Sequence, residues 1–243
     1  MVKVGVCGAH GRMGAQTCQA IAGNPDTELV AAVGSADQAS SFAEVGAEVV
    51  VDFTVATAAR TNLRVLADSG IHAVVGTSGL SDDDITALRD SFTRSHCLIA
   101  PNFAIGAVLM MRFAELSAPF FETAEIIETH HNQKIDAPSG TALQTAQAMA
   151  KASSDWLADP TLDVRITGAR GARTESGITV HSVRLKGRVA HQEVLLGNDG
   201  EMLTIRHDTV DRSAFMPGVI LAVKQIVDLP PGLTVGLETL VPF

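Results

Sequence analysis

Val2-Lys3-Val4-Gly5-Val6-Cys7-Gly8-Ala9-His10-Gly11-Arg12-Met13-Gly14 opens the chain with a β-branched apolar run and then glycines spaced G-x-x-G-x-x-G. The run has strand composition, and residues 13–22 carry apolar side chains at helical spacing until Gly23-Asn24-Pro25 stops them. The segment therefore reads as strand, tight turn and helix. In that setting the N–H groups at the helix start can receive a pyrophosphate, and missing Cβ atoms let it approach closely. Arg12 adds a positive charge for phosphate. A tight turn with close helix–strand packing would use the same glycines, so the pattern depends on its structural setting for meaning.

Outward from this turn, residues 29–33, 49–53, 73–76 and 97–100 are short continuous apolar runs, the composition of parallel strands buried on both faces. Helical stretches separate them. One covers residues 57–69 and ends at Gly70; another covers 82–91 behind Ser81, an N-cap with Asp84 in the capping-box position. Strands alternating with helices specify an α/β fold, here a Rossmann-like doubly wound domain on a parallel sheet. After Asn102 the pattern changes. A helix over 106–117 leads into a strand over 124–131, and a second helix runs from Ser139 to about Lys151. Beyond a loop at 153–160, the segments 164–168, 178–185, 191–196 and 203–207 read as strands of a mainly antiparallel sheet, an α+β domain. Residues 215–228 are helical and 233–237 apolar, a tail expected to pack back on the first domain. The expected division is 1–103 with 214–243, and 104–213.

Composition bounds what this architecture can do. The 243 residues are 46% hydrophobic and 19% charged, and residues 98–111, the longest apolar stretch, are interrupted by Pro101 and Asn102, short of a membrane span. The N-terminus enters a strand directly, without the pattern of a signal peptide, so a soluble cytoplasmic protein is expected. Cys7, Cys18 and Cys97 are odd in number and lie in apolar segments, which suits reduced core thiols. A net charge of −9, from 18 Lys and Arg against 27 Asp and Glu, argues against nucleic-acid and anionic-membrane partners. An anionic ligand must be held by local features.

The densest chemistry lies in Glu128-Thr129-His130-His131-Asn132-Gln133-Lys134-Ile135-Asp136-Ala137-Pro138-Ser139-Gly140-Thr141. Histidine is suited to general acid work near neutral pH. His130 and His131 end a strand, where successive side chains point to opposite faces, so the two have different jobs if the strand continues. A pair of structural histidines is the plain alternative. Shared metal ligation is a weaker one, since no helical H-x-x-x-H partner or third ligand is evident. Ser139 can cap the next helix, which turns the N–H groups of Gly140 and Thr141 outward with the positive end of the helix dipole behind them, a socket for a carboxylate. Lys134 is placed to contact the same anion, donate a proton or form a Schiff base; the last would make a lyase or aldolase, which the glycine loop disfavours.

Two further strand ends, Gly76-Thr77-Ser78-Gly79 and Ala100-Pro101-Asn102-Phe103, fall at the carboxyl edge of the parallel sheet, where ligands bind in such folds. After the second strand, where an acidic residue often holds the ribose of NAD, stands Gly34-Ser35-Ala36-Asp37; the acidic hook is absent at Gly34 and Asp37 comes late. NADPH and NADH are equally compatible with that stretch.

With these residues in view, the chain resembles the dihydrodipicolinate reductase family of bacterial lysine and diaminopimelate biosynthesis over nearly its whole length. The likeness rests on the glycine loop at 8–14, Val51-Asp52-Phe53-Thr54, the loops at 76–79 and 100–103, the block at 128–141, and Phe215-Met216-Pro217-Gly218. The resemblance implies a nucleotide domain completed by the C-terminal segment, and a substrate-binding and oligomerisation domain whose sheet builds a homotetramer. It implies His130 as proton donor and Lys134 as a second donor or charge stabiliser. His131, Ser139, Gly140 and Thr141 would hold the carboxylates of a small cyclic dicarboxylate. Gly8, Ala9, His10, Gly11, Arg12 and Met13, with Gly76, Thr77, Ser78, Ala100, Pro101, Asn102 and Phe103, would hold NADPH or NADH. Ser78 stands where the family usually has Thr, and Gly34 where many members have an acidic residue. Three other readings remain open on the residues alone: an NAD(P)-dependent oxidoreductase acting on another amino acid or imine, a nucleotide-sensing regulator without turnover, and a metal hydrolase.

Overall fold

The opening run is strand β1 (Val2–Cys7), and the glycines lead into helix α1 (Arg12–Ala22), which ends at Gly23. A computed structural model describes residues 1–34, 39–175 and 177–241. Along them follow β2 (Thr27–Val33), the short α2 (Ser41–Glu44), β3 (Val49–Asp52), α3 (Ala56–Ser69), β4 (His72–Val75), α4 (Asp82–Ser91) and β5 (His96–Ile99). After the second unit the chain returns with a 3-10 turn at Arg212–Phe215, helix α7 (Met216–Ile226) and strand β11 (Gly232–Val235). By compactness the chain divides into Met1–Ile105 with Ser213–Phe243, and Gly106–Arg212.

In the first unit the strand order is β11-β5-β4-β3-β1-β2, with every pairing parallel. β3 and β5 are buried at every position because helices cover both faces of the sheet, which is why their sequences read as unbroken apolar runs. Phe42, Leu63, Leu66, Leu88 and Phe92 pack on one face. On the other lie α1 and α7, which contribute Ile21, Val219, Ala222, Val223 and Ile226 to the core. The tail is thus part of this unit, and its last strand pairs with β5. The order reverses between β1 and β3, and their carboxyl ends, Cys7 and Asp52, lie side by side at that switch. Ser81 and Asp84 form the expected capping box at the start of α4, the Asp84 N–H donating to Ser81 Oγ and the Ser81 N–H to Asp84 Oδ2.

The second unit holds α5 (Ile105–Ser117), whose first residue belongs to the other unit, a 3-10 turn at Ala118–Phe120, β6 (Thr123–His130), α6 (Gly140–Ala152), β7 (Ala172–Arg173), β8 (Thr179–Arg184), β9 (Ala190–Asn198) and β10 (Glu201–Thr209). Its sheet runs β10-β9-β6-β8-β7, antiparallel except for the parallel pair β6 and β8. Residues 164–168, expected as a strand, form no strand: the segment is bent and turned, and Val164 and Ile166 are 49% and 74% exposed. Their β-branched alternation finds no partner, because the edge beside β8 is taken by Ala172 and Arg173. Helix α6 buries Ala142, Ala146 and Met149 against Ile126, Val180, Val194 and Leu196. No helix among the described residues is long and apolar enough to cross a membrane.

Core and surface contributions should separate cleanly in the first unit. Leu66→Ala is expected to cost about 2–5 kcal/mol through lost burial and a residual cavity, whereas Ser81→Ala removes one cap bond and should cost about 1 kcal/mol. Equilibrium urea unfolding of the two variants checks this; equal costs would contradict the burial assigned to Leu66.

Candidate active site

Strand periodicity explains the first contact of the site. Residues Ile126, Glu128 and His130 of β6 share one face, the face that packs under α6, so the side chains of Glu128 and His130 are neighbours. His130 Nδ1 lies 2.5 Å from Glu128 Oε2. On the adjacent strand β8, Ser182 is paired with Glu128 and Arg184 with His130. From there Arg184 reaches Glu128 with two parallel bonds, Nη1 to Oε2 and Nη2 to Oε1, each 2.9 Å. The Ser139 N–H donates to Glu128 Oε1 at 3.2 Å, so the residue that begins α6 is tied to the same carboxylate. Glu128 is 0% exposed. Burial alone would raise its pKa, but the hydrogen bonds from His130, Arg184 and Ser182 outweigh this and lower it to about 2.

The loop from His131 to Ser139 is fixed from both sides. The Lys134 N–H donates to the His131 carbonyl, and Arg184 Nη2 donates to the Asp136 carbonyl at 2.6 Å. Lys134 Nζ is held between both oxygens of Asp136 at 2.8 Å, and this contact draws the Asp136 carboxyl below its usual range. Ser139 is buried and caps α6, its Oγ accepting from the Ala142 N–H, while its carbonyl accepts from the Leu143 N–H. Gly140 and Thr141 therefore occupy the first helical positions, where N–H groups point along the axis out of the helix. His131 follows the last strand residue. Deeper along α6, Thr145 accepts from Gln192 Nε2 and donates to the Thr141 carbonyl, which sets the first turn on the sheet.

In the other unit the predicted loops share the carboxyl edge of the parallel sheet. Gly8 adopts φ +76°, and the N–H groups of Gly8 and Ala9 both donate to the Val33 carbonyl. Gly14 packs against the turn so closely that a Cβ would stand 2.0 Å from the Gly8 carbonyl oxygen. Gly11 is the extended N-cap of α1, which has neither a side-chain cap nor an acidic residue in its first turn, and His10, Gly11 and Arg12 are exposed. The Gly76 N–H donates to the Asp52 carbonyl, and the Ala100 N–H to the Val75 carbonyl, so the loops after β4 and β5 leave the sheet edge in register. Asn102 Oδ1 accepts from the Ala104 N–H, while Phe103 meets Phe53 edge to face at 5.7 Å. Pro101 and Ser78 are exposed. The stretch from Ser35 to Asp37 lies outside the described residues.

Three residues gain a part that the sequence alone did not assign them. Glu128 stood at the head of the quoted block, and the two-residue spacing to His130 within a strand was the available signal. Arg184 carried no signal, because it lies on a different strand. Asp52 is 0% exposed at the switch between β1 and β3. It accepts from the Thr54 N–H and hydroxyl, the Thr77 hydroxyl at 2.7 Å and Asn62 Nδ2 at 2.9 Å, and so ties together the loops after β3 and β4. Burial and then the Asp52 charge push the thiols of Cys7 and Cys97 well above their ordinary range, in keeping with reduced, inert core cysteines.

The family model described as "Dihydrodipicolinate reductase, N-terminus" matches residues 2–103, and that described as "Dihydrodipicolinate reductase, C-terminus" matches residues 106–241. The chain belongs to the dihydrodipicolinate reductase family. Among its relatives, proteins named 4-hydroxy-tetrahydrodipicolinate reductase from Cutibacterium acnes and Nocardia farcinica are each 52% identical, covering 99% and 98% of this chain and 98% and 97% of their own. A solved structure titled as dipicolinate-bound dihydrodipicolinate reductase from Paenisporosarcina sp. TG-14 superimposes with a TM-score of 0.89 at 34% identity, over 99% of this chain and 100% of that one. A probable dehydrogenase from Thermotoga maritima shares the fold at a TM-score of 0.68 with 10% identity, over 98% of this chain and 92% of that one.

A carboxyl whose pKa is depressed on folding contributes stability above its ordinary value of 4.5, and that contribution is lost as pH falls toward about 2. Wild-type stability is therefore expected to fall through this window with a component that Glu128→Gln removes. Urea midpoints measured across the window check this, and an identical acid limb in the variant would show that Glu128 is not the group responsible.

Proposed function

We propose that this chain reduces 4-hydroxy-2,3,4,5-tetrahydrodipicolinate to 2,3,4,5-tetrahydrodipicolinate with loss of water, using NADH or NADPH, in lysine and diaminopimelate biosynthesis. The observation that carries this reading is the joining of His130 and the start of α6 to one buried carboxylate, in a chain of this family. It sets a proton donor beside a site for an anionic substrate group. The first unit suits a dinucleotide: α1 begins without a cap of its own, the glycines leave its amides approachable, and Arg12 stands exposed beside them. When bound there, the nucleotide supplies the hydride. We assign its binding to Gly8, Ala9, His10, Gly11, Arg12 and Met13, and to the loops at 76–78 and 100–103. Gly34 offers no carboxylate to repel a 2′-phosphate, which supports use of both nucleotides.

The residues of the second unit supply the rest. His130 delivers a proton to the carbon next to the one that receives hydride, and water leaves. The N–H groups of Gly140 and Thr141, with the helix dipole behind them, bind a substrate carboxylate, assisted by Ser139 and by His131 at the other end of the loop. Lys134, already paired with Asp136, offers a cation that stabilises the dicarboxylate or donates a second proton. The protein works in the cytoplasm as a homotetramer, with the second unit binding substrate and mediating assembly. Val183 and Met202, 40% and 70% exposed on the sheet face away from α6, support association through that face.

His130→Gln is expected to lower kcat by about 10²–10⁴-fold, the range for a lost general acid, with nucleotide affinity nearly intact. Lys134→Ala should lower kcat and weaken substrate binding. Both are read in a coupled assay in which NADPH or NADH oxidation depends on the condensation product of aspartate semialdehyde and pyruvate. An unchanged kcat for His130→Gln would remove His130 from the mechanism. Nucleotide binding without oxidation by the wild-type chain would defeat the proposed activity.

A further inference from the structure

We infer that Glu128 is a positioning residue for the reduction: it fixes the tautomer and heading of the His130 ring and, through the same carboxylate, sets the start of α6 against it, an inference that rests on His130 being the proton donor. If Glu128 only neutralised Arg184, the two parallel bonds between them would suffice. Its oxygens also take His130 Nδ1 at 2.5 Å and the Ser139 N–H at 3.2 Å, the two groups that define where a proton is released and where a carboxylate binds. One buried side chain therefore fixes both reference points.

The chemistry follows from what each partner can do. An ionised carboxylate only accepts hydrogen bonds, and Arg184 and a backbone N–H only donate, so Glu128 requires His130 to donate from Nδ1. In the neutral ring the proton is then on Nδ1 and the lone pair on Nε2; in the imidazolium the exchangeable proton is on Nε2, directed away from Glu128. In the step itself the Nε2–H bond breaks, its proton passes to substrate carbon, and neutral His130 remains with its Nδ1–H still on Glu128. Solvent restores the Nε2 proton. Arg184 keeps Glu128 an anion throughout, so the carboxyl cannot take the proton in place of His130. On the loop that follows His130, Lys134 and Asp136 are bonded to each other. From β9 the residue paired with Glu128 is the neutral Gln192, and from α6 the contact is the Ser139 backbone. Arg184 also holds the Asp136 carbonyl, which extends the same fixation to the loop that carries Lys134.

The test uses the full chain labelled with ¹⁵N-histidine, and long-range ¹H–¹⁵N correlations recorded above the ring titration, with the His130 signals identified by their loss in His130→Gln. The expected neutral His130 is the Nδ1–H tautomer; an Nε2–H tautomer in the wild type overturns the inference. Glu128→Gln, whose amide N–H₂ can face the ring or the guanidinium, is expected to lose that single tautomer and to lower kcat by about 10²-fold, with nucleotide KM within about twofold of wild type. A Glu128→Gln enzyme with wild-type kcat and an unchanged His130 tautomer also overturns it. Should the variant not fold, the wild-type tautomer decides alone. Should the wild type bind nucleotide yet reduce no substrate, the proposed activity fails, while the tautomer still reports on what Glu128 does to His130.

Discussion

Glu128 carries its charge where no water reaches it, and the surroundings in the second unit follow from that. An isolated buried carboxylate is strongly disfavoured, and removal of either half of a buried ion pair leaves the other uncompensated. Arg184 is therefore bound to one geometry, with both of its terminal nitrogens on the carboxylate and one also on a loop carbonyl. The pairing of β6 with β8 brings the guanidinium within reach, since His130 and Arg184 are register partners. Once this pair is in place, the histidine ring, the helix start and the loop between them have little freedom left. A site built this way holds its geometry through strand register rather than through a covalent or metal link.

The first unit solves a related problem differently. Asp52 is as deeply buried as Glu128, but among the described residues its partners are an N–H, two hydroxyls and an amide, with no cation among them. Its hydrogen bonds run sideways along the sheet edge, from the turn after β3 to the loop after β4. With no cation beside it, the charge of Asp52 stays uncompensated and is felt by the neighbouring thiols of Cys7 and Cys97.

Much of this was legible because it rests on local periodicity. The buried runs of β3 and β5 announce strands covered on both faces, and Ser81 with Asp84 announces the start of α4, since in each case the determining contacts lie within a few residues. Ser139 as the cap of α6 was legible for the same reason. What escaped notice depends on partners distant in sequence. Arg184 acts on a residue of a strand that precedes it by a helix and a long loop, and nothing in its own neighbourhood marks it. Residues 164–168 have the alternation of a strand, but a strand needs an edge to pair with, and Ala172 and Arg173 occupy the one beside β8. The parallel sense of β6 and β8 inside an otherwise antiparallel sheet was hidden likewise, because strand composition does not record direction.

The placement of α7 and β11 bears on how the chain is made. The first unit is built from two separate stretches of chain, and helix α7 covers the part of a sheet face, over β3 to β5, that α1 does not reach. Residues 106–212, by contrast, are continuous. Synthesis from the N-terminus thus finishes the inner unit while the outer one still lacks a helix and an edge strand. Until α7 and β11 emerge, the apolar face over β3 to β5 is left open beside α1, the kind of surface that chaperones bind and that pairs wrongly with its own copies. In this sense α7 and β11 close the unit, and a chain cut before α7 loses cover from strands made long before it.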